Sequence, residues 1–340
     1  MEIEKTIKRP FCSVCNSKGV ELYKDLKDKL FGSDGKWNLF VCTDKNCNTI
    51  WLNPAPAEEE IYKAYQKYYT HIDSNPQKRN SLRKIFIQIQ ESYLANKYGY
   101  PSTVPRFLRF ILFLAPLRRS ATDFNVMYLP STKGKLLDVG CGSGEFLFSM
   151  QFRGWEVTGI DSDLKAVQVA QSKGLDVKYG NLFDQNFNDE SFDAIVLSHF
   201  IEHVYDPKKI LIECKRLLKK GGKLVIATPN NKSLGHYVFK RNWRGLEPPR
   251  HINIFSISSL KSLAILSGFV ETNIFTIPRI SRDIFIKSYQ IKSAQEISNK
   301  NNISMILKFF ATVFTSVESL FSIFYKHIGE EIILITKKSN

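Results

Sequence analysis

At 340 residues, 43% hydrophobic and 24% charged, the chain is too apolar for a disordered polymer and long enough for two domains or one with sizeable additions. Six cysteines are too few and too unevenly spaced for a disulfide scaffold, and the charged opening Met1–Arg9 lacks the apolar core of a secretory signal, so a reducing cytoplasm is the expected compartment. The net charge of +15 is concentrated: residues 78–119 hold nine Lys/Arg and one acid, Glu91, which suits a polyanionic partner or a plain solvated face.

Cys12-Ser-Val-Cys15 and Cys42-Thr-Asp-Lys-Asn-Cys47 stand 26 residues apart, with a strand-like Trp37–Val41 leading into the second pair. Two such pairs suit a tetrahedral zinc ion: each forms a knuckle, and four thiolates leave no open position, so the metal would be structural. The second pair is wider than the commonest spacing, and four free buried thiols are the plainer alternative. Cys141 and Cys214 read as core packing. Asn53-Pro-Ala-Pro56 closes this zinc-ribbon-like module, residues 1–57.

Residues 58–132 read as a helical linker. Glu58–Tyr69 begins a helix rich in Tyr and Lys, and Leu82, Ile85, Phe86, Ile89 and Tyr93 repeat at helical spacing. Val104–Arg119 then carries an apolar run of about 11 residues flanked by Arg106, Arg109, Arg118 and Arg119. That is too short to span a bilayer. It predicts a helix lying on a membrane surface, or a packing helix.

Leu136-Leu-Asp-Val-Gly-Cys-Gly-Ser-Gly144 is an apolar run with one acid, followed by glycines on alternate positions. The pattern predicts a buried parallel strand, a tight loop against which a ligand can lie, and a helix from about Glu145. A second strand, Trp155–Ile160, ends in Asp161, 21 residues after Gly140. There an α/β nucleotide site places the acid that binds ribose hydroxyls. Glu145 occupies the position of a dinucleotide fingerprint's third glycine, which disfavours a pyrophosphate ligand. Asp138, inside the first strand, is placed to accept from a cationic amine or to order the loop.

Further strands are expected at Val177–Asn181, Phe192–Ser198, Lys223–Thr228, Phe269–Ile277 and Glu331–Thr336, with a helix at Leu211–Leu218. Together with Ser191-Phe-Asp-Ala-Ile-Val-Leu-Ser-His-Phe-Ile-Glu-His-Val204 and Leu217-Leu-Lys-Lys-Gly-Gly-Lys-Leu-Val-Ile226, the glycine loop and Asp161 resemble the class I S-adenosylmethionine-dependent methyltransferases. Within that family the chain is most similar to the ubiquinone-biosynthesis-like branch, which often carries a cysteine module and a tyrosine-rich segment. The resemblance implies an α/β fold: a Rossmann-like seven-stranded sheet, mostly parallel with the last strand antiparallel, plus the N-terminal module and helical insertions. It places the core at 133–280, an amphipathic insertion at 281–328 and the final strand at 329–340. It implies S-adenosylmethionine as cofactor, held by Asp138, Gly140, Cys141, Gly142, Gly144, Asp161, Ser162, Asn181, Leu182 and Ser198. Asn181 stands where relatives usually have an acid near the adenine.

In the insertion, Ile303, Ile306, Phe310, Val313, Phe314, Val317, Leu320, Phe321 and Phe324 share one helical face. Ser304, Lys308, Thr312, Ser316, Glu318, Ser319 and Ser322 share the other. The polar face argues against a spanning helix. It favours docking of 303–325, with 78–119, on an anionic membrane surface, or packing of the two insertions as a lid or dimer face.

Ligands of open parallel sheets sit beyond the strands' carboxyl ends, so Ser198, His199, Glu202, His203 and the stretch Thr228–His251 are expected at the reacting centre. Methyl transfer from a sulfonium needs orientation and, for a hydroxyl acceptor, a base; His203 is the first candidate, with His251 and Glu202 beside it. His199, Glu202 and His203 at i, i+3 and i+4, with His251, also suit a divalent ion. Relatives that bind metal there have an acid in place of His199. Structural histidines are the third alternative. Arg244 and Arg250 suit an acidic acceptor or ion pairs that hold a lid. The expected acceptor, from resemblance, is a hydroxyl of a sugar or lipid-linked intermediate in surface polysaccharide or lipid synthesis. An RNA acceptor and a non-catalytic cofactor-binding scaffold are the alternatives.

Overall fold

The computed structural model describes residues 3–66, 81–113, 115–132, 134–293 and 304–339. The end of the expected Glu58–Tyr69 helix, Lys78, Arg79 and Ile303 lie outside the described residues. The chain opens with strands β1 (Thr6–Ile7), β2 (Gly19–Leu26), β3 (Trp37–Cys42), β4 (Ile50–Leu52) and β5 (Ala55–Pro56). Helices α1 (Ser81–Tyr98), α2 (Phe110–Phe113) and α3 (Pro116–Phe124) follow. Strands and helices then alternate: β6 (Lys135–Val139), α4 (Glu145–Phe152), β7 (Glu156–Asp161), α5 (Leu164–Ser172) and β8 (Asp176–Tyr179). Next come β9 (Phe192–Ser198), α6 (Pro207–Leu217), β10 (Leu218–Pro229), α7 (Leu234–Phe239) and β11 (Asn253–Ile254). The chain continues through α8 (Ile257–Leu266), β12 (Thr272–Ile277), α9 (Ser281–Ser293), α10 (Met305–Phe324) and β13 (Glu331–Lys337).

Seven strands form one sheet in the order β12-β13-β10-β9-β6-β7-β8. β6 pairs in parallel with β7 and β9, β7 with β8, and β13 runs antiparallel to β12. The strand order reverses between β6 and β9, the switch point at which open α/β sheets leave a crevice. The expected sheet is therefore present, with strand ends shifted by a few residues.

The chain divides into two compact units. One comprises Tyr69–Ser198, Arg216–Val225 and Lys338–Asn340. Here β6 is apolar on both sides because Leu136, Leu137 and Val139 are all buried. The apolar run before Arg118 is not one helix, as expected, but a 3-10 turn at Arg106–Arg109, then α2, then α3. Pro116 causes the break: it has no N–H to donate backward and drives Ala115 to φ −128° and ψ 73°.

The other unit comprises Met1–Tyr68, His199–Lys215 and Ile226–Lys337, so the division at residue 57 read from the sequence does not match the packing. β4 has β3 on one side and β11 on the other, giving a four-stranded sheet in the order β11-β4-β3-β2. Leu39, Leu52 and Trp37 share one core with Trp243, Leu246, Ile252, Ile254 and Ile284 of the later chain. A short three-strand module has little apolar surface to bury alone, and the segment 243–254 supplies the missing layer.

A fragment of residues 1–57 is accordingly expected to show no cooperative unfolding transition. In the full chain, Ile254→Ala should lower stability by about 2–5 kcal/mol, read by denaturant titration. A cooperative transition in the isolated fragment would show that the cysteine module folds independently.

Candidate functional site

The end of β6 turns through Gly140–Gly144 into α4. At Gly142, φ is +53° and an added Cβ would meet nothing within 4 Å, so the backbone there borders open space. Gly144, at φ +77°, has another duty: its Cβ would lie 2.5 Å from Leu175 Cδ1 and 3.1 Å from Ala170 Cβ. Its absence lets α4 pack against the next helix rather than admitting a ligand. Asp161 ties the loop to β7: Oδ2 accepts the Gly142 N–H at 2.7 Å and Oδ1 the Asp163 N–H at 2.8 Å. A carboxylate has about four lone-pair sites, so these bonds leave capacity for ribose hydroxyls.

Asp138 is buried, and among the described residues its Oδ1 has no hydrogen-bond partner. Burial, reinforced by Asp161, pushes its pKa up to about 7, and burial also raises Asp161. A buried acid with an orphaned oxygen is complementary to a cationic ligand. The sulfonium and ammonium of S-adenosylmethionine meet that demand, so the residues present fit this cofactor.

Other expected contacts have mixed roles. The Cys141 side chain turns inward, where burial raises its thiol pKa. Room for it comes from Gly159, whose Cβ would lie 2.6 Å from Sγ. The Asn181 Oδ1 accepts the N–H groups of Phe183 and Asp184 and so caps the turn Leu182–Gln185. Its amide oxygen thus has a structural duty that the sequence did not reveal. Leu182 is buried, Ser162 is exposed, and Ser198 ends β9 half-buried.

In the other unit, the turn Ile201–His203 brings Glu202 and His203 to His251. One ligand atom from each lies within 4.8 Å of the others, and the two imidazoles stack edge-on with centroids 4.9 Å apart. The His203 Nδ1 lies 3.0 Å from the Arg250 carbonyl and 3.0 Å from Tyr65 Oη. A carbonyl only accepts, so in the neutral ring Nδ1 carries the proton and Nε2 the lone pair. The His251 Nδ1 likewise donates to the Gly245 carbonyl at 2.7 Å. Burial lowers its pKa to about 4, against the pull of Glu247, which leaves His251 neutral and a weak base.

His199 does not join these ligands. Its Nε2 lies 2.8 Å from Glu331 Oε1 and its Nδ1 3.4 Å from Glu202 Oε1. Burial disfavours its charge, but the bonds to Glu202 and Glu331 prevail and push its pKa up to about 10. Burial would raise Glu202, yet His199 and the other two histidines hold it down at about 2. His199 is therefore a fixed cation, not a base or ligand. Glu331 and Tyr65 were not legible as site residues, because both meet their partners across more than a hundred residues of chain.

Arg250 is fully buried and binds Glu247 at 2.9 Å, Asp28 at 2.9 Å and the Ala64 carbonyl at 2.9 Å. Arg244 pairs with the same Glu247. Of the two roles expected for these arginines, the structure shows the ion pairs that hold the segment.

The four module cysteines also converge, with all four sulfurs within 4.8 Å of one another. Cys12 Sγ and Cys47 Sγ are 3.6 Å apart, and Cys15 Sγ and Cys42 Sγ 3.3 Å. Thiolates around one zinc at about 2.3 Å stand about 3.8 Å apart, so the donor set fits. Asn16 and Asn48, at φ +59° and +53°, turn the backbone just after Cys15 and Cys47.

Residues 105–272, just under half of the chain, match the family model described as "Methyltransferase domain". The ubiquinone biosynthesis O-methyltransferase of Alkalilimnicola ehrlichii is 36% identical over 123 residues, 34% of this chain and 49% of that protein. Its namesake from Xanthomonas oryzae pv. oryzae is 42% identical over 115 residues, 32% and 48% of the two chains. The chain thus spans about half the length of the curated relatives it matches. A solved SAM-dependent methyltransferase from Archaeoglobus fulgidus covers 67% of this chain and 99% of its own, at 23% identity and a TM-score of 0.45. The chain carries a class I S-adenosylmethionine-dependent methyltransferase domain. Within that class its core is similar to the ubiquinone-biosynthesis O-methyltransferases.

Cofactor binding should report Asp138 directly. A cationic ligand favours the ionised acid, so binding releases its proton, and affinity should fall as pH drops through about 7. Calorimetry should find a loss approaching about tenfold per pH unit below that point. Asp138→Asn should bind more weakly with a flat profile; an unchanged slope in the variant would assign the proton elsewhere.

Proposed function

We propose that this chain transfers the methyl group of S-adenosylmethionine to an acceptor hydroxyl, with His203 as general base. The observation that carries the reading is the locked His203 tautomer. The Arg250 carbonyl accepts a hydrogen bond from Nδ1–H, leaving the Nε2 lone pair for the hydroxyl proton. Glu202, ionised and beside it, stabilises the imidazolium that results, while Thr228 Oγ1 donates to Glu202 Oε2 at 2.9 Å and fixes its direction. When bound, S-adenosylmethionine supplies a methyl group on a sulfur that departs without needing a proton. Asp138 would neutralise the cofactor's positive groups and Asp161 would hold its ribose hydroxyls. The acceptor is a hydroxyl of a sugar or lipid-linked intermediate; the O-methyltransferase names of the curated relatives support the hydroxyl.

The second reading is a divalent ion held by Glu202, His203 and His251, favoured by their spacing within 4.8 Å. We further propose a structural zinc at Cys12, Cys15, Cys42 and Cys47. Such a thiolate cluster supports a reducing, cytoplasmic setting.

Labelled cofactor incubated with fractionated cell envelope tests the activity. Label should enter a saccharide or lipid fraction, and His203→Ala should reduce it by about 10²–10⁴-fold while still binding cofactor. Loss of label on chelation, restored by added divalent ion, selects the metal reading instead. Label in RNA, or cofactor binding with no labelled product, overturns the acceptor class or the catalysis respectively. For the zinc, elemental analysis should find close to one equivalent, absent from a Cys12→Ser/Cys15→Ser double variant; wild-type protein without zinc refutes the site.

A further inference from the structure

α10 and α3 each bury their one acid, Glu318 and Asp123, while most phenylalanines of α10 and of the α2 segment face outward. In α10, Ala311 and Glu318 are buried, and Ser281 Oγ on α9 donates to the Glu318 carboxylate. Phe314, at the edge of the same side, packs on Phe285 with ring centroids 5.0 Å apart. The outer side carries Ile306, Phe310, Val313, Val317, Phe321 and Phe324, all exposed, over about 30 Å of helix. Its described residues bear no charge there; Lys292 and Lys326, in the flanking chain, are exposed. The window Met305–Ser322 is long and apolar enough to cross a membrane, with mean hydropathy 1.3. Only 11% of that window is buried, but the buried strip of Ala311 and Glu318 faces α9 and is closed to lipid.

The other unit shows the same pattern. Phe107, Phe110, Ile111 and Phe113 are exposed. The guanidinium of Arg109 lies 4.8 Å from the Phe110 ring and that of Arg119 5.5 Å from the Phe113 ring. The acid of α3, Asp123, is buried and accepts from Tyr93, Tyr98 and Lys97 at 2.9, 2.8 and 2.8 Å.

We propose that the outer face of α10 and that of the α2 segment each bind the surface of an anionic lipid bilayer, α10 lying in the plane of the interface. Exposed apolar rings carry the insertion and the adjoining cations meet anionic headgroups. A second copy is a poorer occupant, because it would bring the same cations together. Each face is independent of the methyl-transfer chemistry.

The full chain is sedimented with vesicles of phosphatidylcholine alone and of phosphatidylcholine with phosphatidylglycerol. Binding is expected to the anionic vesicles, weaker to the neutral ones, and to decline with added salt. Phe310→Ser/Phe321→Ser and Phe107→Ser/Phe110→Ser should each reduce the bound fraction by about tenfold or more, with circular dichroism and cofactor binding unchanged. Wild-type protein that stays in the supernatant, or variants that bind as well, would overturn the proposal. So would a concentration-dependent dimer abolished by Phe310→Ser, which assigns the face to a second copy, or protein that resists alkaline extraction, which makes α10 a span.

Discussion

A carboxylate removed from water must meet a cation or keep its proton, and this constraint organises the molecule. Glu331 is matched by His199 at 2.8 Å and by Arg279 at 2.9 Å, and Glu247 by Arg250 and Arg244. Among the described residues Glu318 and Glu330 pair with no such cation; burial pushes them up to about 9 and about 7. Asp138 likewise has only hydrogen-bond capacity left open, and it lies where a positively charged cofactor is expected.

The same rule sorts the histidines. His199 sits between two carboxylates and becomes a cation, whereas His251 sits against a carbonyl in a dry setting and stays neutral. His203 has one nitrogen fixed by a carbonyl. Three identical side chains thereby stand in three different environments. Buried ion pairs of this kind contribute little net stability; their effect here is to fix the direction of the groups around His203.

The cysteine module depends on the rest of the chain as much as the site does. Its sheet is completed by β11, and the Ser256 Oγ donates to the Cys47 carbonyl at 2.8 Å. Tyr65, just beyond the module, reaches the His203 Nδ1 at 3.0 Å. Cysteine cluster and histidine cluster therefore share one packed unit.

Local spacing was enough for the sequence to determine the glycine loop, Asp161, the alternating strands and the two cysteine pairs. Each rests on residues close in the chain, where strand period, positive φ or a knuckle's short span leaves few alternatives. The two-residue strand β11, the clamp from Glu331 to His199 and the outward turn of α10 needed the tertiary structure. A strand that short has no periodicity to read, and a charge pair across 132 residues leaves no local trace. An amphipathic helix shows two faces in its sequence, but only its neighbours decide which one is covered. For α10 that neighbour is α9, which covers the side bearing Glu318 and leaves the phenylalanines outside.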